Sequence, residues 1–189
     1  MPGKPNYETL EIAGTAALWS WLDSHHGNAP GALLVTWKAA HADKYVSREE
    51  VLDALVAYGW IDGRRYVVDD AKTAQFITPR LTQHWADSYK KRAARLIEEG
   101  RMQPAGEASI QAGKASGLWD FMADVDKLIV PDDLGQALGE TLSQWEALAP
   151  SYRRNVLRWI KLAKTAPTRA KRIAATAKAT AQGEKLPQM

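Results

Sequence analysis

The sequence predicts an α+β fold, mainly helical, in which a small three-stranded antiparallel sheet is joined to a helical C-terminal module. Three observations lead to this. Extended runs rich in β-branched and aromatic residues are confined to positions 32–78. From position 82 onward apolar residues recur at three- and four-residue spacing, the period of helices with one buried side. The composition, 46% hydrophobic with eight tryptophans in 189 residues, supplies enough apolar area for a real core in one compact domain or two small lobes.

Taken in order, residues 1–14 read as a polar leader. Thr15 is placed to cap a helix that buries Leu18, Trp21 and Leu22 and stops near His25-His26-Gly27. Ala32 to Lys38 reads as the first strand, with Leu33, Val35 and Trp37 on one face. Ser47 and Glu50 have capping-box spacing, and the helix that they open carries Val51, Leu52, Leu55 and Val56 to a stop at Gly59. A tight turn is expected over Trp60-Ile61-Asp62-Gly63. A hairpin of Arg65–Val68 and Ala74–Thr78 around Asp69–Lys72 follows and completes the sheet.

Thr82 is placed to cap the next helix, with Trp85, Tyr89, Ala93, Leu96 and Ile97 inside and a charged outer side. Pro104 starts a shorter helix that ends around Gly117, and an irregular stretch from Trp119 to Ile129 marks the internal boundary. An N-terminal α+β lobe is therefore expected over 1–125 and a helical module with a basic tail over 126–189. Within that module, Pro131 stands at a helix start with Asp132 and Asp133 in the first turn, where the helix dipole favours carboxylates. Pro150-Ser151 opens a longer helix, and Pro167-Thr168 opens an alanine-rich basic one centred on Ile173.

Charge is distributed unevenly. Residues 1–149 carry 15 Lys/Arg against 21 Asp/Glu, whereas residues 150–189 carry 10 against the single Glu184. This split directs attention to an acidic partner for the tail. The chain has no cysteine, which removes disulfides, thiolate metal sites and cysteine nucleophiles together. No apolar run approaches the ~18 residues of a membrane helix, and the N-terminus has no apolar leader, so the expected location is the cytoplasm, without membrane insertion.

No chemistry announces itself. The four histidines, His25, His26, His41 and His84, form no His-x-x-x-His pair, and no metal or other cofactor is expected. Nucleophile elbows and phosphate loops are missing, and the Asp69/Asp70 and Asp132/Asp133 pairs read as a hairpin loop and a helix start. The reading therefore leans away from an enzyme. What stands out is the stretch from Gly59 to Arg64 together with Arg80. An indole, a carboxylate and two arginines gather there near chain turns. Trp37, Lys38, Trp60, Asp62, Arg64, Arg80 and Trp85 are the candidate residues for a small pocket in which indoles give apolar area and the cations orient an anionic ligand. The competing reading of Asp62 is a structural salt bridge to the arginines.

A second candidate surface is the tail. Arg153, Arg154, Arg158, Lys161, Arg169, Lys171 and Arg172 form a cationic set suited to nucleic-acid phosphates, with a solvated helix face as the alternative.

The chain resembles the bacteriocin-protection, YdeI/OmpD-associated family in two blocks. The first runs through Ala54–Gly63, Phe76–Arg80, Trp85 and Leu96–Met102. The second comprises Pro131–Leu134, Ser151–Arg154, Trp159-Ile160, Ala163-Lys164 and Thr168–Ile173. Trp85-Ala86-Asp87-Ser88-Tyr89 departs from the Trp-Ser-x-x-Asn-like run usual in that family. The resemblance implies a cytoplasmic protein linked to bacteriocin or antimicrobial-peptide protection and stress tolerance, without an established catalytic activity, and the expected mode of action is binding of a small anionic ligand or a protein partner. Nucleic-acid binding by the tail and an enzyme acting on an anionic metabolite at Trp60/Arg80 are the alternatives.

Overall fold

The computed structural model describes residues 7–187. They divide into two compact units, one up to Asp120 and one from Phe121 on.

The first unit is built on a four-stranded mixed sheet: β1 (Glu8–Glu11), β2 (Ala32–Trp37), β3 (Trp60–Val67) and β4 (Lys72–Pro79), in the order β1-β2-β4-β3. β1 lies parallel to β2, with Leu10 opposite Leu34, and the other pairings are antiparallel. This corrects the expected three-stranded antiparallel sheet. The extra strand comes from what reads as a polar leader, because an edge strand four residues long needs little apolar sequence of its own. Only Leu10 and the following Ile12 turn toward the core. The parallel pair also requires a crossover, which helix α1 (Thr15–His25) provides.

The expected turn at Trp60–Gly63 is also corrected, since these residues are strand. Gly59 ends helix α2 (Arg48–Ala57) at φ 71°, and the chain enters β3 at once. A side chain at Gly59 would meet the Ala105 carbonyl at 2.9 Å, so both conformation and space call for glycine. The irregularity comes slightly later, as a register shift between Asp62 and Arg65 that accommodates Gly63 and Arg64 opposite Phe76.

Helix α2 is the pivot of this unit. Its N-terminus carries the capping box, with the Ser47 side chain accepting from the Glu50 amide and the Glu50 carboxylate accepting from the Ser47 amide. Every residue from Val51 to Trp60 is buried, so the helix is covered on all sides rather than along one stripe. It is covered by α1, by β3, by α3 (Asp87–Glu98) and by α4 (Pro104–Ala115). Gly106 lets α4 approach closely: a side chain there would come within 2.3 Å of the Ala57 carbonyl. Within this core Asp53 is only 6% exposed and is held by arginines of α3 and the loop after it.

Two expected caps are not used. Gly14 precedes α1, and the Thr15 hydroxyl donates instead to Glu50. α3 starts at Asp87 rather than after Thr82, because Trp85 is anchored in the core through its amide bond to the Leu118 carbonyl.

The second unit contains α5 (Ala123–Asp126), α6 (Asp132–Leu138), a 3-10 turn (Gly139–Thr141), α7 (Leu142–Glu146), α8 (Pro150–Lys161) and α9 (Ala166–Ala181). Its core gathers Val125, Leu134, Leu138, Trp145, Tyr152, Val156, Leu157, Ile160 and Ile173. Helix α9 carries alanines where larger side chains would hold neighbours apart. Its buried Thr176 and Thr180 return their hydroxyl hydrogens to the Arg172 and Thr176 carbonyls. After α9 the chain folds back so that Leu186 enters the core, and its amide donates to the Tyr152 hydroxyl oxygen. No helix among the described residues is long and apolar enough to cross a membrane.

Candidate functional site

The residues singled out by the sequence separate in space. Trp37 lies opposite Lys72 and Trp60 opposite Pro79, seven positions along β4, so the two indoles stand about 23 Å apart along the sheet. Lys38 is at the Trp37 end, its ammonium donating to the Asp69 carbonyl. Arg64 projects from the shifted segment of β3 and lies over the Tyr66 ring. Trp60 is a core residue whose indole N–H donates to the His26 carbonyl.

Asp62, Arg80 and Trp85 do converge, around Tyr89 of α3. Arg80 follows β4 directly, and its amide donates to the Gly59 carbonyl. Its guanidinium is packed between two rings, 4.3 Å from the Trp85 centroid and 4.6 Å from that of Tyr89. One of its terminal nitrogens donates to the His84 carbonyl at 3.0 Å. The other terminal nitrogen and Nε are buried and have no hydrogen-bond partner among the described residues. No carboxylate there lies within ion-pairing distance of Arg80.

The electrostatics follow from this packing. Burial lowers the Arg80 guanidinium to about 10, a shift opposed by nearby Tyr89 and Asp62. Burial, reinforced by the bond to Asp62, pushes the Tyr89 phenol up to about 12. Tyr89 donates to Asp62, and the Arg48 guanidinium lies 3.7 Å from the other Asp62 oxygen. The carboxylate thus sits between a neutral donor and an exposed cation while the buried arginine lies nearby.

The accessible part is a cleft of about 230 Å³ between α2 and α3, lined by Arg48, Glu49, Leu52, Ser88, Tyr89 and Arg92. Arg92 is occupied, bonding to the Asp53 and Glu49 carboxylates and to the Glu49 carbonyl. Arg48, with its side chain 64% exposed, has Asp62 as its one ionic partner among the described residues. Arg48, Ser88 and Tyr89 can therefore offer a guanidinium, a hydroxyl and an aromatic wall to a small anion. Arg48, Ser88 and Tyr89 escaped the sequence reading of the site. Arg48 lies in the first turn of α2, where it looks like a solvated helix start, and Tyr89 reads as a core position of α3. Only the meeting of α2, β3 and α3 makes them neighbours.

Among the described residues no group of three or more His, Asp or Glu side chains is placed to hold a metal ion.

In the tail, the candidate cations fall into two sets. Arg169 makes a bidentate bond with Asp133, Lys161 bonds Asp124 at 2.5 Å, and Arg172 donates to the Trp159 carbonyl while its guanidinium lies over the Trp159 ring. These three hold helices together. Arg153 is half-buried with its Nε unpartnered. Arg154, Arg158 and Lys171 are exposed and form no ion pair among the described residues.

Residues 10–109, more than half of the chain, match the model of a domain of unknown function, DUF8412, and the protein belongs to that family. Residues 127–183 match the model described as bacteriocin-protection, YdeI or OmpD-associated. The bacteriocin-protection resemblance is thus shown for the second unit alone. The block carrying Gly59–Gly63 and Phe76–Arg80 falls in the first family instead. Searches of curated proteins and of solved structures give no match.

Proposed function

We propose that the protein is non-catalytic and contributes to bacteriocin protection by binding a small anion, a phosphate or carboxylate group, in the cleft between α2 and α3. The observation that carries this reading is the buried guanidinium of Arg80 beside the cleft. Arg80 is buried without an ion-paired carboxylate among the described residues, and nearby Asp62 is shared by Tyr89 and Arg48. A charge so placed favours an incoming anion at Arg48 and Ser88. The cleft volume suits a small ionic group rather than a large apolar ligand. The match of residues 127–183 supports the protective role at the level of the family.

Thermal unfolding in inorganic phosphate and in small carboxylates, against sodium chloride at equal ionic strength, tests the reading. An anion at 100 times its Kd stabilises the folded state by about 2.7 kcal/mol, a clear rise in Tm. Arg48→Ala, an exposed change, should abolish that rise without lowering the ligand-free Tm appreciably. Equal shifts in wild type and variant, or none with any anion, would refute it. Cells expressing the wild type should then survive a bacteriocin challenge better than cells expressing Arg48→Ala.

A further inference from the structure

The sheet of the first unit has two unlike faces. Ala32, Leu34, Trp60 and Ile77 turn toward the helices and are buried in their core. The opposite face gathers aromatic side chains. Phe76 lies at its centre, with the Tyr7 ring 5.4 Å away on the β1 side and the Tyr66 ring 5.7 Å away on β3, both edge-on. Tyr66 is 41% exposed, and Phe76 and Tyr7 are half-buried. Four positions along β4, about 13 Å away, Trp37 continues the row.

Cations flank the row at both ends. Arg64 is exposed over the Tyr66 ring and has no ionic partner among the described residues. At the other end Lys44 lies 4.5 Å and Lys72 4.2 Å from the Trp37 ring centroid. Glu11 is neutralised by Lys72, and the Asp69 carboxylate is taken up by the Ala71 and Lys72 amides. A four-stranded sheet with a row of rings between flanking cations matches two chemical features at once. The rings can stack on flat bases, and the cations can meet the phosphates on either side.

We infer that this open sheet face binds unpaired nucleic acid, with bases stacking on Tyr66, Phe76 and Trp37 and phosphates meeting Arg64 and Lys44. The site shares no residue with the anion cleft or with the cationic set of the tail. Stacking requires exposed base faces, so a duplex of the same length binds far more weakly. The cations make binding weaken as salt rises.

Fluorescence anisotropy of the full chain with labelled single-stranded DNA and RNA oligonucleotides, their duplexes and poly-glutamate, over a salt series, decides the matter. Single strands are expected to bind at low salt in preference to both other probes. Tyr66→Ala should weaken that binding about 5- to 150-fold, the range expected for one lost base stack, while Tyr66→Phe retains it. Arg64→Ala should weaken binding and flatten the salt dependence. Lys171→Ala, in the tail, and Arg48→Ala, at the cleft, should leave it unchanged. Because Tyr66 and Arg64 are both exposed, an unchanged melting temperature would separate lost binding from lost folding. The inference is overturned if single strands do not bind at low salt, if duplex or poly-glutamate binds as well, or if Lys171→Ala abolishes binding while Tyr66→Ala does not.

Discussion

The Tyr89 hydroxyl donates to Asp62, and this one bond ties helix α3 to strand β3 directly above the buried Arg80 guanidinium. The phenol so placed resists ionisation. Burial, with the Asp62 bond adding to it, pushes Tyr89 up to about 12, and burial also raises Tyr58 above its ordinary value. A spectrophotometric titration is therefore expected to show a tyrosine lagging behind the others, and Tyr89→Phe should remove the step near 12. Because the folded phenol holds its proton more tightly than the unfolded one, its contribution is complete below about 10 and is lost as pH rises toward 12. A titration curve unchanged by Tyr89→Phe would contradict this.

Acid stability should depend on Asp53. Burial by itself would raise this carboxyl, but hydrogen bonds from Arg95 and Arg92 outweigh it and hold the group below the ordinary carboxylate range. Its contribution is then complete above the unfolded value near 3.8 and is lost as pH falls through the lower folded value. Asp53→Asn leaves Arg92 buried without its closest partner and should cost about 3 kcal/mol at neutral pH. Urea unfolding at several pH values checks both parts. The gap between wild type and variant should be widest near neutrality and close below pH ~4.

The crossing of α4 over α2 depends on Gly106. A methyl group there would meet the Ala57 carbonyl at 2.3 Å and the Met102 sulfur at 2.5 Å. Gly106→Ala should destabilise the first unit by about 1–3 kcal/mol despite the higher helix propensity of alanine. The measurement is the denaturant midpoint, read with a probe of this unit, since two units need not unfold in one step.

The second unit is closed by its own C-terminal segment. Leu186 is 6% exposed, and its amide bonds the Tyr152 hydroxyl. Leu186→Ala is expected to cost about 2–3 kcal/mol through the apolar area and the void that it leaves. By contrast, Arg169→Ala removes a half-exposed pair with Asp133 and should cost under about 1 kcal/mol, less at high salt. Comparable losses for the two variants would show that the tail segment is not part of the core.

What the sequence determined was local. Ser47 and Glu50 close a capping box because both partners lie within one helical turn. Gly59 stops α2 because its backbone needs a left-handed turn, and Ala32 to Trp37 form a strand because a short apolar run ending in β-branched and aromatic residues follows the Pro30-Gly31 break. The second family match, over 127–183, likewise rests on motifs readable along the chain. Tertiary structure decided the rest. Glu8–Glu11 become strand only because β2 offers a parallel edge, and Trp60 to Gly63 become strand rather than turn because β4 pairs with them. Arg80 and Asp62 belong to one site, and Trp37 and Lys38 do not, because β4 separates them by its whole length. Tyr89 and Arg48 join that site from helices 27 and 14 residues from Asp62 along the chain. Caps and periodicity are written in neighbouring residues. Pairing partners, burial of a charge and the meeting of three elements at one cleft depend on contacts between residues far apart in sequence, and only the folded chain brings these together.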